Sequence, residues 1–406
     1  MSGPLDGITV LDMSRVLAGP WAGQLLADLG ARVIKVEHPA RGDDTRGWGP
    51  PWLEEEPDDG PGDVERMAAY FLCANRGKRS LAVDIATEGG QALVRELAKG
   101  ADILLENFKV GGLARYGLDY ASLQALNPRL ISCSVTGFGQ DGPYAHRAGY
   151  DFMIQAMGGL MSLTGEPDGM PMKTGVAITD VMTGLYATVG VLAALQARAH
   201  TGRGQHVDLA LLDVQVATLA NQALNALVEG RSPQRHGNAH PNIVPYQAFA
   251  CADGHLVLSV GNDAQFARLA DLLGHAEWAE DPAYATNAAR VGNREVLVAL
   301  IQRCLRQRDR DAWLAELEAR RIPAGPINTL SEVFDDPQVR HREMHRVLKR
   351  GDLDVPQVAN PLRFDGASAT SEIAPPELGQ DSDAILAEMG LTPEDIAKLR
   401  RTGVVR

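Results

Sequence analysis

Residues 8–37 read ITVLDMSRVLAGPWAGQLLADLGARVIKVE, and this stretch decides the fold. Ile8 to Asp12 and Arg32 to Glu37 are short β-rich runs, and Gly23 to Leu29 between them reads as a helix. Pro20 suits a first helical turn, where its missing N–H has no partner to lose, and Gly30 suits the helix end. Strand, helix and strand make one βαβ unit. The pattern recurs with a strand at Ser80 to Ile85, a helix over Glu88 to Lys99 closed by Gly100, and strands at Asp102 to Glu106 and Arg129 to Val135. The expected architecture is α/β, a Rossmann-like parallel sheet. Between the first two units, Arg41 to Asp63 is rich in Pro, Gly and acid and reads as an exposed loop with little structure.

A glycine-rich stretch, Thr136 to Pro143, follows the Arg129 strand and leads to Gly149, Tyr150 and Asp151. Loops after parallel strands are where α/β sites sit. A long apolar helix after Asp180 ends at Thr201 to Gly204, followed by a strand at Gln205 to Ala210 and a helix at Leu212 to Val228. The segment Val181 to Ala199 comes nearest to a membrane span, yet it holds Thr183, Gly184, Thr188, Gly190, Gln196 and Arg198 and reads as a buried core helix. Beyond Gly230 the texture changes. Arg231 to Pro245 is a polar link, Tyr246 to Val260 reads as a hairpin around Asp253-Gly254, and helices run to about Arg321. The expected division is a large Rossmann-like domain over 1–228, a small α+β domain over 229–326, and a segment over 327–406 returning to the large domain.

The 406 residues carry 39 basic and 52 acidic side chains, a formal net charge of −13. This argues against a general nucleic-acid or anionic-membrane surface. An anionic ligand must be met by a few local cations or helix N-termini. Four cysteines, Cys73, Cys133, Cys251 and Cys304, stand far apart with no metal-ligand spacing, so neither a metal site nor a disulfide framework is expected. Without a signal-peptide pattern, the expected compartment is the reducing cytoplasm.

The first βα turn, Arg15 to Pro20, has no GxGxxG, and Pro20-Trp21 stands where a phosphate-cradling helix start needs small residues with free N–H groups. No dinucleotide site is expected, and Glu37 reads as a solvated strand end. Asp180 is the only carboxylate in Gly175 to Leu185, where a long apolar helix begins. Two readings compete there: an N-cap that accepts orphan backbone N–H groups, and a nucleophile in a site that small residues leave open. Tyr150-Asp151 is either a core pair or a polar wall of the same site. Asn75, Arg76, Lys78 and Arg79, and Asn107, Phe108, Lys109 and Arg115, form two basic groups near strand ends where an anion such as a nucleotide phosphate would bind. His240 is a candidate loop base.

The runs Pro4-Leu5-Asp6-Gly7-Ile8 to Pro20, Asp28-Leu29-Gly30-Ala31 to Glu37, Gly42-Asp43-Asp44-Thr45-Arg46, Lys78-Arg79-Ser80, Glu106-Asn107-Phe108, Thr136-Gly137-Phe138-Gly139, Thr201-Gly202-Arg203-Gly204-Gln205 and Gly403-Val404-Val405 together resemble the family III CoA-transferases across nearly the whole chain. The resemblance implies an acyl-carrying aspartate at Asp180 and an interlocked homodimer. It implies CoA against Val16, Leu17 and Ala18, His38, Val83 and Asp84, Asn107 and Phe108, Arg115, and Gly149 to Asp151. His38 stands where a formyl-CoA transferase has arginine, and Ala86 and Ala148 where it has lysines. Asn238 to Gln247 replaces that enzyme's glycine-rich flap and resembles the branch acting on succinate, glutarate and hydroxymethylglutarate.

The implied function is transfer of CoA from an acyl-CoA thioester, such as succinyl-CoA, to a free carboxylic acid through an aspartyl mixed anhydride. CoA is substrate and product, with no tightly bound cofactor. Backbone N–H groups near Gly137 to Gly139 are candidate oxyanion donors, and Lys173 and Arg235 are candidate partners for a distal carboxylate. An α-methylacyl-CoA racemase is the first alternative; it would carry a histidine where Tyr150 stands, and a phenol of pKa about 10 is a poor base for an α-proton. A non-catalytic CoA-binding protein is the second.

Overall fold

The alternation of apolar strands and helices builds a six-stranded, wholly parallel sheet in the computed structural model, which describes residues 3–54 and 66–406. Its strands are β1 (Thr9–Asp12), β2 (Arg32–Glu37), β3 (Lys78–Ala82), β4 (Ile103–Glu106), β5 (Ile131–Thr136) and β6 (His206–Ala210), in the order β3-β2-β1-β4-β5-β6. Leu11 of β1 lies opposite Ile34 of β2 and Leu104 of β4. Successive strand residues face opposite sides, so Leu11, Ile34, Leu81 and Leu104 enter one core cluster while Val10, Val33, Ile103 and Ile131 enter the other. A sheet covered on both faces needs such unbroken apolar strands.

Helix α1 (Ala18–Asp28) starts earlier than the sequence suggests, which puts Pro20 in its first turn. Helices α2 (Glu88–Gly100), α3 (Asp151–Met157), α4 (Ile178–Thr201) and α5 (Leu211–Ala217) follow. The helix expected over Leu212 to Val228 is broken: a second helix runs Ala220–Glu229, and Ala220 has φ 46°. Helix α4 lies against α1, and Gly184 permits the approach, since a Cβ there would meet Ala18 O at 2.8 Å. The expectation of a buried core helix is corrected. Thr183, Ala187, Val191 and Ala194 are buried, but Leu185, Tyr186 and Val189 on the other face are exposed.

The chain leaves β1 toward β2 on one side and returns to β4 on the other, so the sheet's switch point opens a crevice beyond the carboxyl ends of β1 and β4. The loop expected to be exposed over Arg41 to Asp63 is partly built in. Asp43 and Thr45 are buried, Asp44–Gly47 forms a helical turn, and Trp52–Glu54 pairs with Arg66–Ala68. Residues 55–63 of that expectation lie outside the described residues.

The chain divides into a unit of Met1–Leu160, Thr174–Leu224 and Pro337–Arg406 and a unit of Met161–Lys173 and Asn225–Asp336. The second unit thus includes Met161–Lys173, which falls within the expected large domain, and the return falls at Pro337. Its antiparallel sheet has β8 (His255–Ser259) between β7 (Tyr246–Ala250) and β9 (Ala324–Pro326), packed on Phe266, Leu269, Leu297 and Trp313.

Candidate active site

Under the crevice lies a buried polar floor. Lys78 Nζ donates to Asp12 Oδ2 (2.8 Å), the Pro20 carbonyl (2.8 Å) and Asn75 Oδ1 (3.0 Å). Lys35 Nζ donates to the Ser14 carbonyl (3.0 Å) and to Asp43 Oδ2 (2.8 Å). Asp43 Oδ1 accepts the backbone N–H groups of Val16 (3.2 Å) and Thr45 (3.0 Å). Glu37 accepts from Arg46 Nε (2.7 Å), Ser80 Oγ (2.7 Å) and Asp43 N (3.0 Å). Burial alone would raise the Asp43 pKa, but Lys35 and the Thr45 donors outweigh it and hold the carboxyl at about 2. Burial lowers the Lys78 ammonium to about 8 despite Asp12 beside it.

Two sequence expectations fall here. Glu37 is a buried ion-pair partner of Arg46, not a solvated strand end. The Asn75 to Arg79 run faces protein and not an anionic ligand: Arg76 pairs with Asp28 (2.7 Å), Lys78 with Asp12 and Arg79 with Glu388 (2.9 Å). A cation buried beside a carboxylate is already neutralised, which leaves it little to offer a ligand.

The floor holds the Arg15-Val16-Leu17 turn. Val16 has φ 72°, a left-handed conformation costly for a β-branched residue and sustained only where the surroundings dictate it. Asp43 takes the Val16 N–H, while Asn107 Oδ1 accepts Arg15 N (2.9 Å) and Asn107 Nδ2 donates to the Arg15 carbonyl (2.7 Å). Val16, Leu17, Ala18, Asn107, Phe108, Gly149 and Tyr150 line a cavity of about 180 Å³ together with Gly137 and Asp180. A second cavity, of about 490 Å³, shares Arg15, Phe108 and Lys109 with the first and is lined by His38, Val83, Asp84 and Arg115. The structure thus gathers every residue that the resemblance set against CoA around two adjoining hollows, except Asp151, which lies behind the wall.

Asp151 explains Asp180. The Thr179 and Asp180 N–H groups, orphaned at the start of α4, donate to Asp151 Oδ1 at 2.9 and 3.2 Å, and Gln155 Nε2 holds Asp151 Oδ2 at 2.6 Å. The N-cap reading of Asp180 is therefore corrected. Asp180 is the third helical residue, and a carboxylate from a distant segment does the capping. The residue is 8 % exposed, and its side chain accepts no hydrogen bond among the described residues and borders the smaller cavity. Burial, then the Asp151 charge, push its pKa up to about 7. The Tyr70 phenol rises to about 12 through its own burial and then the nearby Asp180 charge.

Gly137 and Gly149 meet backbone to backbone: a Cβ on Gly137 would lie 2.6 Å from the Gly149 Cα, so only glycine lets the two loops close this wall. Gly139 is not a free oxyanion donor, because its N–H is spent on Thr136 Oγ1 (2.9 Å). Lys173, Arg235 and His240 belong to the second unit. Arg235 donates to the carbonyls of Glu166 (3.1 Å), Pro167 (3.3 Å) and Gly169 (2.6 Å), which makes it a loop staple more than a carboxylate clamp. His240 Nδ1 accepts Asn242 N (3.0 Å), and burial with Arg294 lowers its pKa. Sequence reasoning missed Arg147, which borders the Asp180 cavity, and Arg41, which borders the larger one. The available signal for Arg147 was its place two residues before Gly149, with aromatic Phe138 and Tyr144 upstream.

Residues 5–382 match the family model described as CoA-transferase family III. The chain belongs to that family. A succinate–glutarate CoA-transferase of Agrobacterium fabrum is 52% identical over 95% of this chain and 96% of its own length. The succinyl-CoA:glutarate CoA-transferase of Mus musculus is 43% identical over 99% of this chain and 90% of its own. The crystal structure of a CaiB/BaiF family protein from Brucella suis is 53% identical, covers 96% of this chain and all of that one, and gives a TM-score of 0.84. As a family III CoA-transferase, this protein uses CoA as a substrate. Its two hollows and the buried Asp180 carboxylate, which lines the smaller of them and not the larger, are the features on which that activity must be placed.

Proposed function

We propose that this CoA-transferase moves CoA between a dicarboxylic acyl-CoA, such as succinyl-CoA, and a free carboxylic acid, with Asp180 as the covalent carrier. The Asp180 carboxylate attacks the thioester carbonyl, forming a mixed anhydride and releasing CoA thiolate. The thiolate attacks the aspartyl carbonyl, giving an aspartyl-CoA thioester and freeing the donor acid. The acceptor carboxylate then attacks that thioester, and the thiolate released again collects the new acyl group and restores the Asp180 carboxylate. The larger cavity, with Arg41, Lys109 and Arg115 on its wall, is the place proposed for the CoA phosphates.

One observation carries the reading: a buried carboxylate on a cavity wall whose structural duty has been taken over by Asp151. Relatives named for succinate and glutarate support the dicarboxylic substrate class. The racemase alternative needs a base beside the acyl group. Tyr150, 64 % exposed at this wall, is a phenol, and exchange of α-protons into deuterated water without acceptor acid would revive that reading.

Quenching the enzyme with succinyl-CoA alone should leave added mass on the peptide holding Asp180; an unmodified peptide under turnover conditions removes the carrier. Only the ionised carboxyl attacks, and its pKa stands at about 7, so kcat/KM should rise with pH through a limb near that value. A limb near pH 4 would show that the carboxyl is not desolvated in solution.

The exposed Leu185, Tyr186 and Val189 face of α4 is the surface we assign to a second copy of the chain, and sedimentation at a two-chain mass is the expected result. The four unpaired thiols accord with a reducing, cytoplasmic setting.

A further inference from the structure

A dicarboxylic acyl-CoA carries one carboxylate that takes no part in the chemistry. In a chain of net charge −13, with Asp180 and Asp151 at the reaction centre, that group needs a local cation. Of the cations around the two hollows, Arg15 is held by Asp44 at 2.9 Å, Arg41 and Arg115 border only the larger cavity, and Lys109 borders both. Arg147 borders only the cavity that contains Asp180.

Among the described residues Arg147 has no carboxylate partner. Its guanidinium lies over the Phe138 ring at 5.1 Å and the Tyr144 ring at 4.7 Å, and the two rings meet edge to face at 5.5 Å. Its remaining side-chain contact is a weak one, Nη2 to Met157 Sδ at 3.9 Å. Contacts to ring faces use up no N–H donor of a guanidinium, and those donors can grip a carboxylate with two parallel hydrogen bonds. The backbone is fixed as well, since Arg147 N donates to the Tyr144 carbonyl (2.9 Å).

We propose that Arg147 is the specificity-determining residue that receives the non-reacting carboxylate of the dicarboxylic substrate. This rests on the dicarboxylic reading given above, and it replaces Lys173 and Arg235 in that role.

The test uses the full-length enzyme with succinyl-CoA as donor and glutarate or butyrate as acceptor. In a ping-pong cycle the acceptor's kcat/KM reports only the second half-reaction, so any effect on the donor drops out of the comparison. Arg147→Met keeps the stem on the two rings and deletes the charge. It should lower kcat/KM for glutarate roughly 10- to 100-fold, mainly through KM, with butyrate little changed, and Arg147→Lys should recover part of the loss. The dissociation constant for free CoA, measured by calorimetry, should stay the same. An equal fall for both acceptors, weakened CoA binding, or unaltered glutarate kinetics overturns the assignment while leaving the dicarboxylic reading in place. A wild-type enzyme that serves butyrate and refuses glutarate overturns both.

Discussion

Asp180→Asn is expected to abolish turnover while making the folded protein more stable above pH 7. Removing a nucleophile typically costs on the order of 10⁴- to 10⁶-fold in kcat, and the amide cannot form an anhydride. The stability gain follows from the sign of the pKa shift. The folded-state pKa is raised from 3.8 to about 7 by burial and by Asp151, so between those values the native state holds a proton that the unfolded state releases. Stability is therefore lost as pH rises through this window, by about 4 kcal/mol at 1.36 kcal/mol per unit once pH exceeds the folded value. Asparagine carries no charge at any of these pH values and escapes the penalty. Melting curves at pH 5.5 and 8.5 should show a larger gain for the variant at the higher pH. Retained turnover would remove Asp180 from the chemistry, and equal gains at both pH values would remove the desolvated charge.

Asp43→Ala should act in the opposite direction. It leaves Lys35 charged, fully buried and short of its partner, and it frees the N–H groups of Val16 and Thr45. Breaking a buried pair in this way costs on the order of 3–5 kcal/mol, read as a lower urea midpoint with an unchanged slope. Because the Asp43 pKa is depressed from 3.8 to about 2, its contribution is present above pH 4 and fades as pH falls toward 2, a dependence the variant should lack. Without the Asp43 carboxylate the left-handed Val16 turn also loses a tether, so KM for acyl-CoA should rise. Lys35→Met with Asp43→Leu should recover much of the stability but not the KM. Recovery of both would make the network a packing device with no bearing on the turn.

The parallel sheet was readable because strands buried on both faces must be apolar throughout, as Val10-Leu11 and Ile103-Leu104 are. Asp180 stood out as the single acid in a run of small and apolar residues. What the sequence hid were pairings made at long range. Asp151 caps a helix that begins 27 residues later, Arg76 reaches Asp28 and Lys78 reaches Asp12. A charged side chain looks the same in a sequence whether it faces water or an ion-pair partner, so the Arg41 to Asp63 loop looked solvated and the Arg76 to Arg79 run looked available. Arg147 was missed for the converse reason: its value lies in having no acidic neighbour, and a lack of contact leaves no mark on local spacing.

The placing of Asp151 behind residue 180 bears on which form of the enzyme accumulates. Every covalent adduct of the proposed cycle, anhydride or thioester, is neutral at residue 180, whereas burial and the adjacent Asp151 anion disfavour the bare carboxylate. Above pH 7 the empty enzyme is then the strained member of the cycle, and loading relaxes it. Where donor thioester is plentiful and acceptor scarce, the protein should wait in its charged-up state with CoA attached, ready for whichever acid arrives next.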